Sequence, residues 1–149
     1  AMWWEDLMPY DNLDFKIRYD LLEHYKYFIA MRNTFPVFRC GAINFLFADD
    51  EKNILVFERT DGESYSIIIL NNSSEKQSIE FQLPDYYADF QLVDISKKEN
   101  VNFINGKISG LNSVRKLLSI KKEAENVLLK DRKLKIDLSE FGWCVLINR

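Results

Sequence analysis

The sequence has few residues suited to metal, redox or triad chemistry. It contains a single histidine, His24, and two cysteines, Cys40 and Cys144, among 149 residues. One histidine excludes a multi-histidine metal site and disfavours a Ser-His-Asp triad. The cysteines are far apart and fit neither a zinc nor a redox spacing, so we expect both to be reduced and structural. We therefore expect no metal centre and no cofactor.

Glycine, basic clusters and long apolar runs are also scarce. The five glycines form no G-x-S-x-G, P-loop or dinucleotide motif. The net charge is -3 with scattered Lys and Arg, which disfavours nucleic acid as a partner because a duplex requires a dense basic face. No apolar run reaches the roughly 18 residues of a membrane span, and no charged-then-apolar leader opens the sequence. We expect no membrane partner and a cytoplasmic location.

Acidic residues are frequent but show no catalytic arrangement. The densest run is Asp49, Asp50 and Glu51. Neighbouring exposed carboxylates lack the different environments that separate an acid from a base or nucleophile, and the spacing of an EF-hand loop is absent. We interpret this run as the solvated tip of a hairpin and expect no catalytic residue in the chain.

An amphipathic helix is the clearest element that the sequence does contain. Besides its main apolar row, the helix has a second apolar row on another face, which consists of Tyr27, Met31 and Phe35. The helix is therefore predicted to be covered from two sides. Pro36 disfavours helical geometry at the residue before it, which places the helix end near Asn33 or Thr34. Asn12, Asp14 and Asp20 are the candidate caps. The main row lies on one helical face, follows i, i+3, i+4, i+7 spacing and comprises Leu21, Leu22, Tyr25, Phe28, Ile29 and Arg32.

From residue 42 onward the apolar pattern changes to a period of two, interrupted by turn residues. This predicts about eight to ten short strands and hence an antiparallel β-sandwich of Greek-key type, preceded by one amphipathic helix that packs directly against it. Asn105 and Gly106 suit a type I′ turn, so residues 101–108 are predicted to form a small hairpin. The other predicted strands are residues 42–48, 54–59, 65–70, 77–83, 90–95, 116–120, 126–129, 133–138 and 142–148.

Aromatic residues form two groups outside the strand pattern. Trp3 and Trp4 lie in an aromatic-rich opening stretch, and Tyr86 and Tyr87 follow Pro84 in a loop. Flat apolar rings can stack on sugar rings, and they are equally suited to packing at a domain interface. Both interpretations stay open for these four residues.

Residues 22–41 carry a pattern found in a known family. The stretch L-x-x-Y-K-x-F-I-x-M-R-x-x-x-P-V-F-R-x-G resembles the last barrel helix of the α-amylase family of glycoside hydrolases, which is followed there by an all-β C-terminal domain. The order F-E-R at 57–59, G-E at 62–63 and N-N-S at 71–73 is similar to strands of that domain, and M-W-W at 2–4 is similar to the segment before the helix in neopullulanase and cyclomaltodextrinase relatives. Pullulanase-type relatives share the helix pattern. Residues 96–132 match nothing specific.

The resemblance implies a division at about residue 40. Residues 1–40 would be an aromatic-rich lead-in plus the last helix of a catalytic barrel, and residues 41–149 the C-terminal sandwich. The family's catalytic carboxylates lie on barrel strands before this helix, so the resemblance implies a non-catalytic piece of an α-glucan-cleaving enzyme. The partner would be the catalytic barrel of its own parent chain. The residues expected to contact that barrel are Leu22, Tyr25, Phe28, Ile29 and Arg32.

Two other functions stay open at this point. One is a starch- or maltodextrin-binding module that contacts α-glucan through Trp3, Trp4, Tyr86 or Tyr87. The other is a protein-interaction sandwich unrelated to glucans. Without a barrel, the helix of the isolated chain is expected either to associate with a second copy or to fold back onto its own sandwich.

Overall fold

Both α-helices of the described residues precede the strands, and two short 3-10 helices, Asp85–Tyr87 and Lys98–Asn100, lie between strands. A computed structural model describes residues 16–107, 114–127, 129 and 131–149. Helix α1 comprises Lys16–Thr34, and a short helix α2 comprises Val37–Cys40. The predicted end of the first helix is confirmed. Asp20 lies inside α1 and therefore cannot cap it, whereas Asn12 and Asp14 lie outside the described residues.

The strands form three antiparallel sheets within the described ranges. The largest has six strands in the order β1-β2-β3-β10-β5-β8, and the pairs β4-β9 and β6-β7 form two-stranded sheets. The predicted class, a mainly β antiparallel sandwich preceded by one helix, is confirmed. The strands are β1 Ala42–Asp49, β2 Ile54–Thr60, β3 Tyr65–Asn71, β4 Gln77–Gln82, β5 Leu92–Asp94, β6 Val101–Lys107, β7 Val114–Ile120, β8 Asn126–Val127, β9 Lys133–Leu138 and β10 Trp143–Asn148.

The main core lies between the six-stranded sheet and the β4-β9 pair. Ile79 and Phe81 of β4 are buried there, while the residues that alternate with them, Ser78, Glu80 and Gln82, are exposed. Each fully buried aliphatic or aromatic side chain contributes about 1.5–3 kcal/mol of hydrophobic free energy, so this layer accounts for much of the stability of the sandwich. Its buried members are Ile54, Val56, Ile67, Ile69, Ile79, Phe81, Leu83, Tyr87, Leu92, Leu134, Leu138, Cys144 and Leu146.

The opposite face of the six-stranded sheet is covered by α1 and the β6-β7 hairpin. Tyr27, Ala30 and Met31 of α1 are buried in a second core. That core also includes Val145 of β10 and Leu118 of β7. The predicted direct packing of the helix on the sandwich is therefore confirmed. Neither helix of the described part has the length and apolarity needed to cross a bilayer.

The turn predicted at Asn105 and Gly106 is wrong. Both residues lie inside β6, where Asn105 pairs with Lys116 and Gly106 pairs with Arg115 of β7. The hairpin therefore continues past them. A Cβ atom on Gly106 would lie 2.3 Å from Leu117 Cδ1, so the glycine serves close side-chain packing rather than a left-handed turn.

Candidate functional site

The outer face of α1 carries a row of large apolar side chains, which we call the α1 row. Each member is between 36% and 59% exposed: Leu21, Leu22, Tyr25, Phe28 and Ile29. Arg32, on the same predicted face, is also exposed. Contiguous apolar surface on a soluble domain marks an interaction site. Four of the five predicted barrel contacts belong to this row, and their role in such a contact stays a prediction.

The inner face of α1 is held by hydrogen bonds to distant parts of the chain. The hydroxyl of Tyr27 donates to the backbone oxygen of Ile95. The hydroxyl oxygen of Thr34 accepts from the N–H of Leu118 at 2.7 Å. Burial, together with the nearby charge of Asp94, raises the pKa of Tyr27 to about 12. The α1 row is thus presented by a helix fixed to its own sandwich.

The connection from α1 to the sheet is held by one arginine. Arg59 Nη1 donates to Phe38 O at 3.2 Å, and Nη2 donates to Gly41 O at 2.9 Å. Gly41 lies at the end of α2, where an added Cβ atom would lie 2.5 Å from Val37 O. Because a side chain does not fit there, glycine is required for the tight entry into β1.

Beside α1, a groove of about 620 Å³ opens on the same side of the sheet, and we call it the sheet groove. Its floor is a row of directly opposed residues, since Leu55 pairs with Leu70 and Leu70 pairs with Trp143. Ala48 extends this row on β1, opposite Leu55. Phe28 forms the helix side of the groove, with its ring centroid 5.0 Å from that of Trp143. The groove therefore joins the α1 row at Phe28.

The rim of the sheet groove is acidic. Asp49 and Asp50, at the tip of the β1-β2 hairpin, both line it. Asp49 Oδ1 accepts the N–H of Lys52 at 3.0 Å, and Asp49 Oδ2 lies 3.7 Å from Lys52 Nζ. Asp50 and Glu51 are exposed. The prediction that this acidic run is a hairpin tip is confirmed.

His24 contributes to the aromatic packing beside the groove. It is exposed, and its ring contacts Phe28 and Trp143 edge-on at centroid distances of 4.6 and 5.7 Å. Among the described residues, no group of three His, Cys, Asp or Glu side chains could hold a metal ion. Cys40 is exposed and Cys144 is buried, both with free thiols. Burial and the neighbouring Asp94 raise the pKa of the Cys144 thiol well above its ordinary value.

A buried carboxylate organises the loop after β4. Glu58 of β2 is only 1% exposed. Its Oε1 accepts from Asn44 Nδ2 and from the Tyr86 hydroxyl, each at 2.8 Å. Its Oε2 accepts from the Tyr87 hydroxyl at 2.8 Å. Because a buried charge requires such partners, Glu58 fixes both tyrosines. The residue was not predicted, although one acidic residue at an inward position of an apolar strand was a usable signal.

The predicted sugar-stacking residues have different environments. Tyr87 is fully buried, so it offers no ring face to a ligand, and the prediction is wrong for this residue. Tyr86 is 46% exposed, and burial together with its hydrogen bond to Glu58 raises its pKa to about 12. The same two causes raise the pKa of Tyr87 further. Trp3 and Trp4 lie outside the described residues.

Comparisons of sequence point to one family. Residues 43–111 match the family described as Maltogenic Amylase, C-terminal domain. A cyclomaltodextrinase from Geobacillus thermopakistaniensis (strain MAS1) is 38% identical over 88 residues, which are 59% of this chain and 13% of that enzyme. The chain thus corresponds to a small part of this relative's length. The sequence resemblance to the C-terminal region of such enzymes is confirmed.

Solved structures share the fold at low sequence identity. AmyP in complex with maltotriose is 14% identical with a TM-score of 0.53, covering 78% of this chain and 18% of that one. The α-amylase from H. orenii is 17% identical with a TM-score of 0.52, covering 87% of this chain and 20% of that one. At these identities the likenesses concern the fold alone.

Proposed function

We propose that this chain, which carries the C-terminal domain of an α-amylase-family glycoside hydrolase, is a non-catalytic domain that packs against the catalytic barrel of its parent enzyme. The observation that carries this proposal is the two-sided α1 helix. Its inner side, with Tyr27 and Met31, is buried in the chain's own second core. Its outer side, the α1 row, is apolar and exposed. In this proposal α1 is the element shared by barrel and sandwich.

The energy available from the α1 row supports a stable contact. Burying a half-exposed Leu, Ile or aromatic side chain contributes about 1 kcal/mol, and the row has several such side chains along one helix face. Arg32 adds a cation at one end of the row and would take a barrel carboxylate as partner. The parent enzyme would cleave α-glucans with carboxylates of its barrel, and this domain would stabilise that barrel.

A chimeric enzyme tests the proposal. In it, this chain replaces the C-terminal region of the Geobacillus cyclomaltodextrinase, and the rate of thermal inactivation is measured. Ile29→Ser should increase that rate about tenfold, because a residue that would be buried against the barrel becomes polar. In the isolated chain, at concentrations low enough to keep it monomeric, the same substitution should leave the free energy of unfolding within about 0.5 kcal/mol, because Ile29 is exposed there.

Ile104→Ser is the matched control. Ile104 is 43% exposed and pairs with Leu117 of β7. Because successive residues of a strand point to opposite faces, Ile104 and Phe103 lie on opposite faces of the hairpin. Phe103 is the hairpin residue whose ring contacts Tyr27 of α1. The control substitution should change neither the inactivation rate of the chimera nor the free energy of unfolding of the isolated chain appreciably. Equal inactivation rates for Ile29→Ser and Ile104→Ser chimeras would contradict the proposal.

A second candidate function is α-glucan binding, favoured by the geometry at Tyr86. Its half-exposed ring is held by the bond to Glu58 and lies 5.5 Å from the ring of Tyr65. Titration calorimetry with maltotriose and a cyclodextrin tests this function. Heat that is lost in Tyr86→Ala supports it, and absence of heat at millimolar sugar removes it. Trp3→Ala and Trp4→Ala test the two remaining aromatic candidates in the same way.

A further inference from the structure

We propose that the sheet groove is a second contact surface for the catalytic barrel, and that it takes an apolar side chain flanked by Lys or Arg. This inference rests on the proposed function and adds to it both a new surface and the chemistry of the segment that fills it. None of the floor residues Leu55, Leu70 and Trp143 belongs to the α1 row.

The floor of the groove is an apolar surface made by the sheet itself. Leu55, Leu70 and Trp143 lie side by side on adjacent strands, and directly opposed side chains project to the same face at about 5 Å spacing. Leu70 is 36% exposed although it lies on β3, an interior strand of the sheet. An interior strand with an exposed leucine on a helix-covered face indicates a place where α1 does not reach.

The position of the groove makes it continuous with the α1 row. Phe28 belongs to both surfaces, since it is an exposed residue of the row and a lining residue of the groove. A body that covers the α1 row and extends past Phe28 therefore reaches Leu70. The groove is open to solvent and has a volume of about 620 Å³, which leaves room for a protruding large side chain.

The acidic rim defines the charge of the occupant. The carboxylate of Asp49 forms an ion pair with Lys52, since its Oδ2 lies 3.7 Å from Lys52 Nζ. Asp50 is exposed next to it and lines the groove. Two carboxylates beside an apolar floor disfavour an anionic neighbour and favour a cation next to the apolar group. A barrel helix that presents an apolar side chain beside Lys or Arg has this chemistry.

Small probe molecules test the groove chemistry on the 149-residue chain without any barrel. Phenethylamine joins an aromatic ring to a cation, and phenylacetate joins the same ring to an anion. Titrations followed by NMR should shift the methyl signals of Leu55 and Leu70, and the amine should bind about fivefold more tightly than the acid. Asp50→Asn should reduce this preference, whereas Glu51→Gln, at the same hairpin tip, should leave it unchanged.

The chimeric enzyme tests the occupant. Leu70→Thr should increase the rate of thermal inactivation of the chimera about fivefold, because the floor would lose contact with the barrel. Ile104→Thr is the control, since both residues are partly exposed on strands. In the isolated chain both substitutions remove a partly buried apolar side chain, so they should lower the unfolding midpoint by similar small amounts.

The outcomes separate this inference from the proposed function. A chimera sensitive to Ile29→Ser but not to Leu70→Thr overturns the groove contact and leaves the proposed function intact. Insensitivity to both substitutions overturns both. If the chimera does not fold, the NMR titration decides: a preference for phenethylamine that depends on Asp50 supports the groove, and the absence of shifts at Leu55 and Leu70 overturns it.

Discussion

The hydroxyl oxygen of Thr34 lies 2.7 Å from the backbone nitrogen of Leu118, and the two residues are 84 positions apart in the sequence. The same hydroxyl donates to the oxygen of Ala30 at 2.8 Å. This single side chain therefore joins the last turn of α1 to β7. It makes the helix part of the sandwich rather than a free extension of it.

Thr34→Val should lower the free energy of unfolding by about 1–2 kcal/mol, because the N–H of Leu118 then loses its partner in a partly buried place. Urea unfolding measures the change. Thr60→Val is the control: Thr60 Oγ1 accepts from Gly62 N at an exposed turn, where water replaces the bond, so the change should stay within about 0.5 kcal/mol. Equal losses in the two variants would show that the Thr34 bond does not stabilise the fold.

The two tyrosines on Glu58 should differ in their contribution to stability. Tyr87→Phe removes a donor from a buried carboxylate and should cost about 2 kcal/mol, whereas Tyr86→Phe removes a partly exposed bond and should cost less than about 1 kcal/mol. Thermal unfolding of both variants measures the difference. A larger loss for Tyr86→Phe would contradict the described network, in which Tyr87 is the buried donor.

The stability of the chain should fall as the pH rises above about 10, the ordinary pKa of tyrosine. The pKa of Tyr27 is raised to about 12 in the folded chain, so in this range the folded state holds a proton that the unfolded state has lost. The contribution is complete below pH 10 and is lost as the pH approaches 12. Urea unfolding across this range should show a shallower decline for Tyr27→Phe than for the unaltered chain. Identical slopes would refute the assignment.

The isolated chain should associate with a second copy through the α1 row. The structure leaves the row exposed on the outside of α1, so folding back onto its own sandwich does not remove it from water. Ile29→Ser should weaken the association about tenfold, measured by sedimentation equilibrium. Ile104→Ser should leave the dissociation constant unchanged. A monodisperse monomer at high concentration would contradict this expectation.

Local sequence patterns predicted the elements that depend on local physics. Pro36 marked the end of α1, and the alternation around Ile79 and Phe81 marked β4. The pair Asn105 and Gly106 misled because its turn preference is overridden by pairing with β7 across the whole of β6. A local preference of this kind is weak compared with the hydrogen bonds and packing of a complete hairpin.

The candidate surfaces were predicted only where one helix carries them. The spacing of Leu22, Tyr25 and Ile29 revealed the α1 row because those residues are neighbours on a single helix face. The sheet groove could not be found in this way, since Leu55, Leu70 and Trp143 become neighbours only through strand register. Register is a tertiary property, and no short stretch of sequence contains it.

The position of β10 has a consequence for biosynthesis. This strand lies between β3 and β5 in the six-stranded sheet, so the sheet stays divided until Trp143–Asn148 has been synthesised. During translation both β3 and β5 keep an open edge that could pair with another chain. The six-stranded sheet therefore becomes continuous only when β10 inserts into its middle, and a ribosome pause before residue 143 would prolong the state with open strand edges.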